Sequence, residues 1–127
     1  MKEILIIISI LLIIVISSIC TYRFLDNSSK DLEEKLNNLK IKIGEKTEKE
    51  EISKIANSIY LDWKDTNEKW SNLVLHTEID SIETALIRAK SKIDIDKVDE
   101  SLEDIDTAIF LINHIKEKEK TNLKNIF

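Results

Sequence analysis

Two tryptophans, two histidines, Arg88 and a short run of acids are the side chains of this 127-residue chain whose types and spacing suggest chemistry. Trp63 and Trp70 stand seven residues apart, with Tyr60 close by. On a helix that spacing puts both indoles on one face, two turns apart. Such a pair can line a groove for a partner helix or an apolar ligand. The plainer reading is packing, because large aromatics dominate small cores, and it is the preferred one. His76, Glu78, Asp80 and Glu83 follow at spacings that let their side chains converge on one helix. Joined by His114 they would make a metal site of nitrogen and oxygen ligands. The competing reading is electrostatic: acids near a helix N-terminus are favoured by its dipole, and His76 caps the turn. Arg88 follows Glu83 by five residues, so the pair lacks the i,i+4 spacing of a local ion pair. A salt bridge to an acid on another helix is its expected use. The candidate binding residues are therefore Trp63, Trp70, His76, Asp80, Glu83 and Arg88.

Several chemistries lack their signature. The single glycine, Gly44, cannot supply a phosphate-cradling loop. Cys20 is the one cysteine and lies in an apolar run, so the rest of the chain has no cysteine nucleophile. Two histidines without a ligand motif do not define a zinc site. No catalytic residue, metal ligand or cofactor is assigned, and the chain is not expected to be an enzyme.

The elements that must position these residues are helices. The chain has no proline and one glycine, which leaves a sheet protein without its turn residues. Leu32, Leu36, Leu39 and Ile43 form one amphipathic stripe, with Gly44 as a stop. Thr47 and Glu50 read as a capping box opening a second helix, whose stripe is Ile52, Ile55, Ile59, Trp63, Trp70 and Val74. The phase shifts near His76 and Thr77, where a turn is expected. Ile79, Ile82, Leu86, Ala89 and Ile93 form the third stripe. Asp94–Asp96 reads as a connector with Asp96 as N-cap, and Val98, Leu102, Ile105, Ile109 and Ile112 form the fourth. The predicted helices are 29–44, 47–75, 78–93 and 97–118. Short connections favour antiparallel neighbours. The Leu32–Ile43 stripe alternatively pairs with a second copy as a short coiled coil, so a homo-oligomer is one outcome.

The N-terminal segment differs from all of these. From Ile4 to Tyr22 no residue is charged and, apart from Ser9, the helix through Ile16 is apolar on every face. A water-soluble helix would show a polar face. Residues 4–22 would extend roughly 28 Å as a helix, close to the hydrocarbon thickness of a bilayer. Tyr22 falls at interface depth. An uncleaved anchor is preferred. A cleaved signal peptide usually has a shorter apolar core, and acylation of Cys20 would want a small residue where Ile19 stands. Lys2 and the terminal amine favour an N-terminus in the cytoplasm, and Arg23 pulls the other way. The expected topology keeps the C-terminal domain outside the cytoplasm.

The fold class expected is thus all-α: an N-terminal transmembrane helix (residues 1–25) continuing into or followed by a stalk helix, then a small antiparallel helical bundle within residues 26–127. The net charge of −5 gives no electrostatic case for nucleic acid. It also argues against lying flat on anionic lipid.

The stretch from Trp63 to Arg88 resembles an uncharacterised bacterial family, domain of unknown function 4363, at Trp63, Trp70, His76, Glu78, Asp80, Glu83, Leu86 and Arg88. The chain end, Ile112–His114 and Asn122–Phe127, is also similar, with Phe127 standing where an aliphatic residue is expected. Members of that family are short proteins with an N-terminal membrane segment. The resemblance implies an all-helical, membrane-anchored protein and groups the Trp, His and acid positions as one set. It implies no activity.

The function expected is that of a protein-interaction or accessory subunit at the cell envelope. Its partners would be the lipid bilayer, through residues 4–22, and a membrane or envelope protein. The alternative is a membrane-tethered small-ligand or metal-binding module using the Trp63, Trp70, His76 and Asp80 region.

Overall fold

A computed structural model describes residues 1–126. Among them are four α-helices and no strand: α1 (Lys2–Gly44), α2 (Lys49–Trp70), α3 (His76–Asp94) and α4 (Ser101–Ile126). Each helix packs against its chain neighbour, and α4 closes the ring on α1. The diagonal pairs α1/α3 and α2/α4 do not approach. This is an up-down-up-down four-helix bundle.

The core explains the arrangement. Leu25, Ser29, Leu32, Leu36, Leu39 and Ile43 are buried on α1 at spacings of four and three. Ile52, Ala56, Ile59, Trp63 and Trp70 keep the same rhythm on α2. On α3 it is carried by Ile79, Ile82, Leu86, Ala89 and Ile93, and on α4 by Ser101, Ile105, Ala108, Ile112 and Ile115. A strict alternation of three and four is a 3.5-residue repeat, which keeps each stripe facing the bundle axis when the helices coil left-handedly.

The apolar helix continues directly into the expected stalk segment. α1 is unbroken for 43 residues, and its second half is one of the four bundle helices. The expected coiled-coil face, Leu32 to Ile43, is covered by the chain's own helices, so it is not free to pair with a second copy. Two stripes are also corrected. Ala56 is buried where Ile55 was expected, and Ser101, Ala108 and Ile115 are buried on α4 while Val98, Leu102 and Ile109 flank the core. The larger residues drew the expectation. The interior takes the smaller ones where helices come close.

The helix ends differ from expectation for local reasons. α2 stops at Trp70, not at residue 75, because the N–H groups of Leu73 and Val74 both turn back to the Trp70 carbonyl. The turn falls at Ser71–Leu75, and His76 opens α3. Thr47 does not cap α2: the N-cap is Glu48, with no side-chain hydrogen bond. Instead the Thr47 N–H donates to the Lys42 carbonyl and that of Lys46 to Ile43, a Schellman closure of α1 with Lys46 left-handed at φ 55°. Gly44 is an ordinary last helical residue. α3 ends in the same way. Lys97 N–H reaches Lys92, Asp96 N–H reaches Ile93, and Asp96 has φ 65°. Asp96 therefore closes α3 and does not open α4. α4 begins at Ser101, not at residue 97, and runs on past residue 118 to Ile126.

Candidate functional site

Trp63 and Trp70 are both 0% exposed. Their rings meet edge to face at 5.7 Å between centroids, a favoured geometry for aromatic quadrupoles. They fill the core and line no open groove. Trp70 also fastens two helices, since its Nε1 donates to Ser28 Oγ at 2.9 Å. Ser28 lies on the face of α1 next to the buried Ser29. That bond fixes the level of the α2–α3 turn along α1. Trp63 Nε1 and Ser29 Oγ are buried without a hydrogen-bond partner, and each such group costs about 1–3 kcal/mol.

The His–acid set does not assemble. His76 and Asp80 are exposed and Glu83 is half-buried. Among the described residues no three His, Cys, Asp or Glu side chains gather as a metal site would require. His114 is exposed on α4, where it stacks on Phe110 with centroids 6.3 Å apart. Glu78 sits in the first turn of α3, as the dipole favours, and accepts a 3.0 Å bond from Lys118 of α4.

Asp80 and Arg88 do share a feature. They lie along an open groove of about 500 Å³ between α3 and α4, with Thr84, Glu103, Asp104 and Thr107. The expected tertiary salt bridge of Arg88 is not formed: among the described residues no carboxylate lies within 4.0 Å of its guanidinium. Lys92 takes that position, meeting Asp104 at 2.7 Å. The contact it donates to the Asp104 carboxylate raises the Lys92 amine above its ordinary value. The groove is shallow and mixed in charge, and it can offer polar contacts to a partner surface without enclosing a ligand.

Ion pairs of this kind occur at every seam. Lys35 bridges Asp31 and, on α2, Asp62 at 2.9 Å. Lys49 at the start of α2 meets Asp96 at 2.7 Å and donates to the Asp94 carbonyl. Lys40 pairs with Asp106 across α1 and α4. Exposed pairs contribute only about 0–1 kcal/mol each, but together they favour one register.

The other half of α1 has no such neighbours. Its apolar residues from Ile4 to Ile16 lie open on all faces, and none of its most apolar 18-residue window, mean hydropathy 3.1, is buried. This helix is long and apolar enough to cross a membrane. The last turns of α4 reach back to its edge. Ser17, Ser18, Thr21 and Tyr22 of α1 line a cleft of about 240 Å³ with Glu119, Asn122 and Leu123. Burial pushes the Glu119 carboxyl above its ordinary value, Lys118 opposes that and Glu78 adds to it. The stretch with no protein beside it is therefore Ile4–Ile16, roughly 20 Å of helix. This cleft was not foreseen. Its sequence signal is the three-four rhythm running back from Leu32 through Ser29, Leu25 and Tyr22 to Ser18, concealed because serines hold two of those positions.

The fold and its surroundings define a class: an all-helical bundle whose first helix extends into a bare apolar segment. The chain belongs to the family described as Domain of unknown function (DUF4363), whose model matches residues 19–126. The match begins near the cleft and takes in the whole bundle. Neither the curated proteins nor the solved structures contain a match to the chain. Phe127, the departure from the family's expected aliphatic end, lies outside the described residues.

Proposed function

We propose that this chain is a single-pass membrane protein whose helical bundle serves as an interaction or accessory module at the bacterial cell envelope. The observation that carries the reading is the contrast within α1. Residues 4–16 are apolar on every face but for Ser9 and uncovered, whereas the bundle core is filled by side chains down to both tryptophans. An uncovered apolar rod is stable only in lipid or against another protein. A filled core leaves the outer faces to do the binding. Lys2 supports a cytoplasmic N-terminal side and an extracytoplasmic bundle, with Arg23 pulling the other way. The small-ligand or metal reading has less support, since Trp63 and Trp70 are closed into the core and His76 stands apart on the surface. The module is proposed as a binding protein, not an enzyme.

Crosslinking in native membranes at native expression tests this. A discrete crosslinked species containing a second protein is expected, and Arg88→Glu in the α3–α4 groove should weaken it. Recovery of the uncrosslinked monomer alone would overturn the interaction reading.

A further inference from the structure

The bundle has two unlike ends. The α1–α2 and α3–α4 connections lie together at the end far from the apolar segment, joined by Lys49 and Asp96. That end is acidic: residues 94–104 carry six acids against one lysine, and residues 45–51 four acids against two lysines. The near end holds the α2–α3 turn and the last turns of α4. There residues 116–124 carry four lysines against two glutamates, while residues 68–80 carry three acids against one lysine. Lys116 and Lys118 pair with Glu33 and Glu78, which leaves Lys120 and Lys124 for other contacts, and Leu73 and Leu75 are exposed.

Heights along α1 place these groups. Trp70 is level with Ser28 through its 2.9 Å hydrogen bond, and Ser28 is roughly 9 Å of helix beyond Tyr22. The turn carrying Leu73 and Leu75 follows directly. The last turns of α4 are level with Ser17–Tyr22 through the shared cleft. The bare stretch Ile4–Ile16, roughly 20 Å, is shorter than the roughly 30 Å hydrocarbon thickness of a bilayer. A short span is accommodated by local thinning, by long cationic side chains reaching outward and by drawing flanking segments into the interface. Covering α1 up to Tyr22 draws the last turns of α4 to the hydrocarbon boundary, from which Lys120 and Lys124 can extend outward to the phosphates. It leaves Leu73 and Leu75, roughly 9 Å beyond Tyr22, at the outer rim of a headgroup layer roughly 5–8 Å thick.

We propose, resting on the membrane-anchor reading above, that the near end of the bundle is a second membrane-contact surface that seats on anionic phospholipid headgroups. Lys120 and Lys124 of α4 meet the lipid phosphates, and Leu73 and Leu75 rest on the outer rim of the headgroups. The bundle then stands end-on, with its acidic end directed away. Lysines near an anionic leaflet gain attraction that falls off within a Debye length, so this contact depends on the charge asymmetry and not on the net charge of −5.

The test uses the full chain with Cys20→Ser, reconstituted in phosphatidylcholine vesicles with and without phosphatidylglycerol. Single cysteines at Leu12, Leu75, Thr121 and Ile95 carry an environment-sensitive dye, and quenchers are placed at the headgroup or deep in the acyl chains. Deep quenching at position 12, headgroup quenching at 75 and 121, and none at 95 are expected. Lys120→Glu with Lys124→Glu should lower quenching at 75 several-fold, in the anionic vesicles only. Positions 75 and 121 behaving like 95, while 12 is quenched, would overturn this surface and leave the anchor standing. Absence of quenching at 12 would overturn the anchor and this proposal with it.

Discussion

The first and second halves of α1 are one helix in two solvents. From Ile4 to Ile16 its side chains are apolar on nearly every face and exposed, apart from half-buried Val15. From Leu25 to Ile43 one stripe is buried at alternating spacings and the remaining faces are polar but for the exposed Ile41. The backbone does not register the change, since no kink, glycine or proline separates the halves. Helical geometry is therefore common to both settings. What differs is how many faces are apolar: a stripe where helices cover it, the full circumference where none does.

One substitution made in each half tests that difference most strongly. Leu36→Ala should cost about 2–5 kcal/mol of bundle stability, because it opens a cavity in a packed core. Leu11→Ala should leave the thermal midpoint of the bundle nearly unchanged. Equal losses at the two positions, by thermal unfolding in detergent, would erase the distinction. Ser29 sits on the buried stripe with an unpaired hydroxyl, so Ser29→Ala should stabilise the bundle by about 1 kcal/mol, read by denaturant midpoint. Loss of stability would mean that the hydroxyl has a partner such as buried water. At the far end, Lys46→Gly relieves a left-handed residue and should gain about 0.5–1 kcal/mol, the strain relieved less the added entropy of the unfolded chain. A lower midpoint would show that Lys46 makes compensating contacts.

The smallest effect lies where the two halves meet. Burial raises the Glu119 carboxyl from its ordinary 4.5. Between the unfolded value and the raised one, the folded chain keeps a proton that the unfolded chain releases. Docking of the last turns of α4 should thus be strongest in acid and weaken as pH rises through that window. Glu119→Gln should raise the midpoint slightly at neutral pH and make no difference well below 4.5. An effect of equal size at both pH values would rule out the carboxyl as the cause.

The same contrast explains what was legible in the sequence. Periodicity works where large apolar residues mark the buried face, so all five stripe positions of α3 from Ile79 to Ile93 are buried, and only the small Ala85 lies outside the pattern. It failed where the interior uses small residues. Ala56, Ser101 and Ala108 are buried, yet bulkier neighbours one position away attracted the stripe. Turns were misplaced because they use backbone bonds and left-handed Lys46 and Asp96 in place of glycine or proline. The seven-residue spacing of Trp63 and Trp70 puts them on one face, and that face is the core, where both rings are 0% exposed. The His–acid set illustrates the limit of spacing arguments. Helical spacing can bring His76, Asp80 and Glu83 near one another, but convergence also needs a second helix to present its ligands inward, and α4 points His114 outward onto Phe110. Nor does a charge pattern foretell which lysine reaches which acid. Arg88 was expected in a tertiary pair, and Lys92 has it.

The unbroken course of α1 has a mechanical consequence. From Tyr22 to Gly44 the helix extends roughly 33 Å, so a tilt of roughly 20° in the bilayer, common for membrane helices, swings the far end sideways by about 11 Å. Rotation about the helix axis is transmitted just as directly. Each face of the bundle thus keeps a fixed compass bearing relative to a face of the buried rod. A neighbour that grips the rod inside the lipid would aim the groove of Asp80 and Arg88 in one direction, as a tiller sets a rudder.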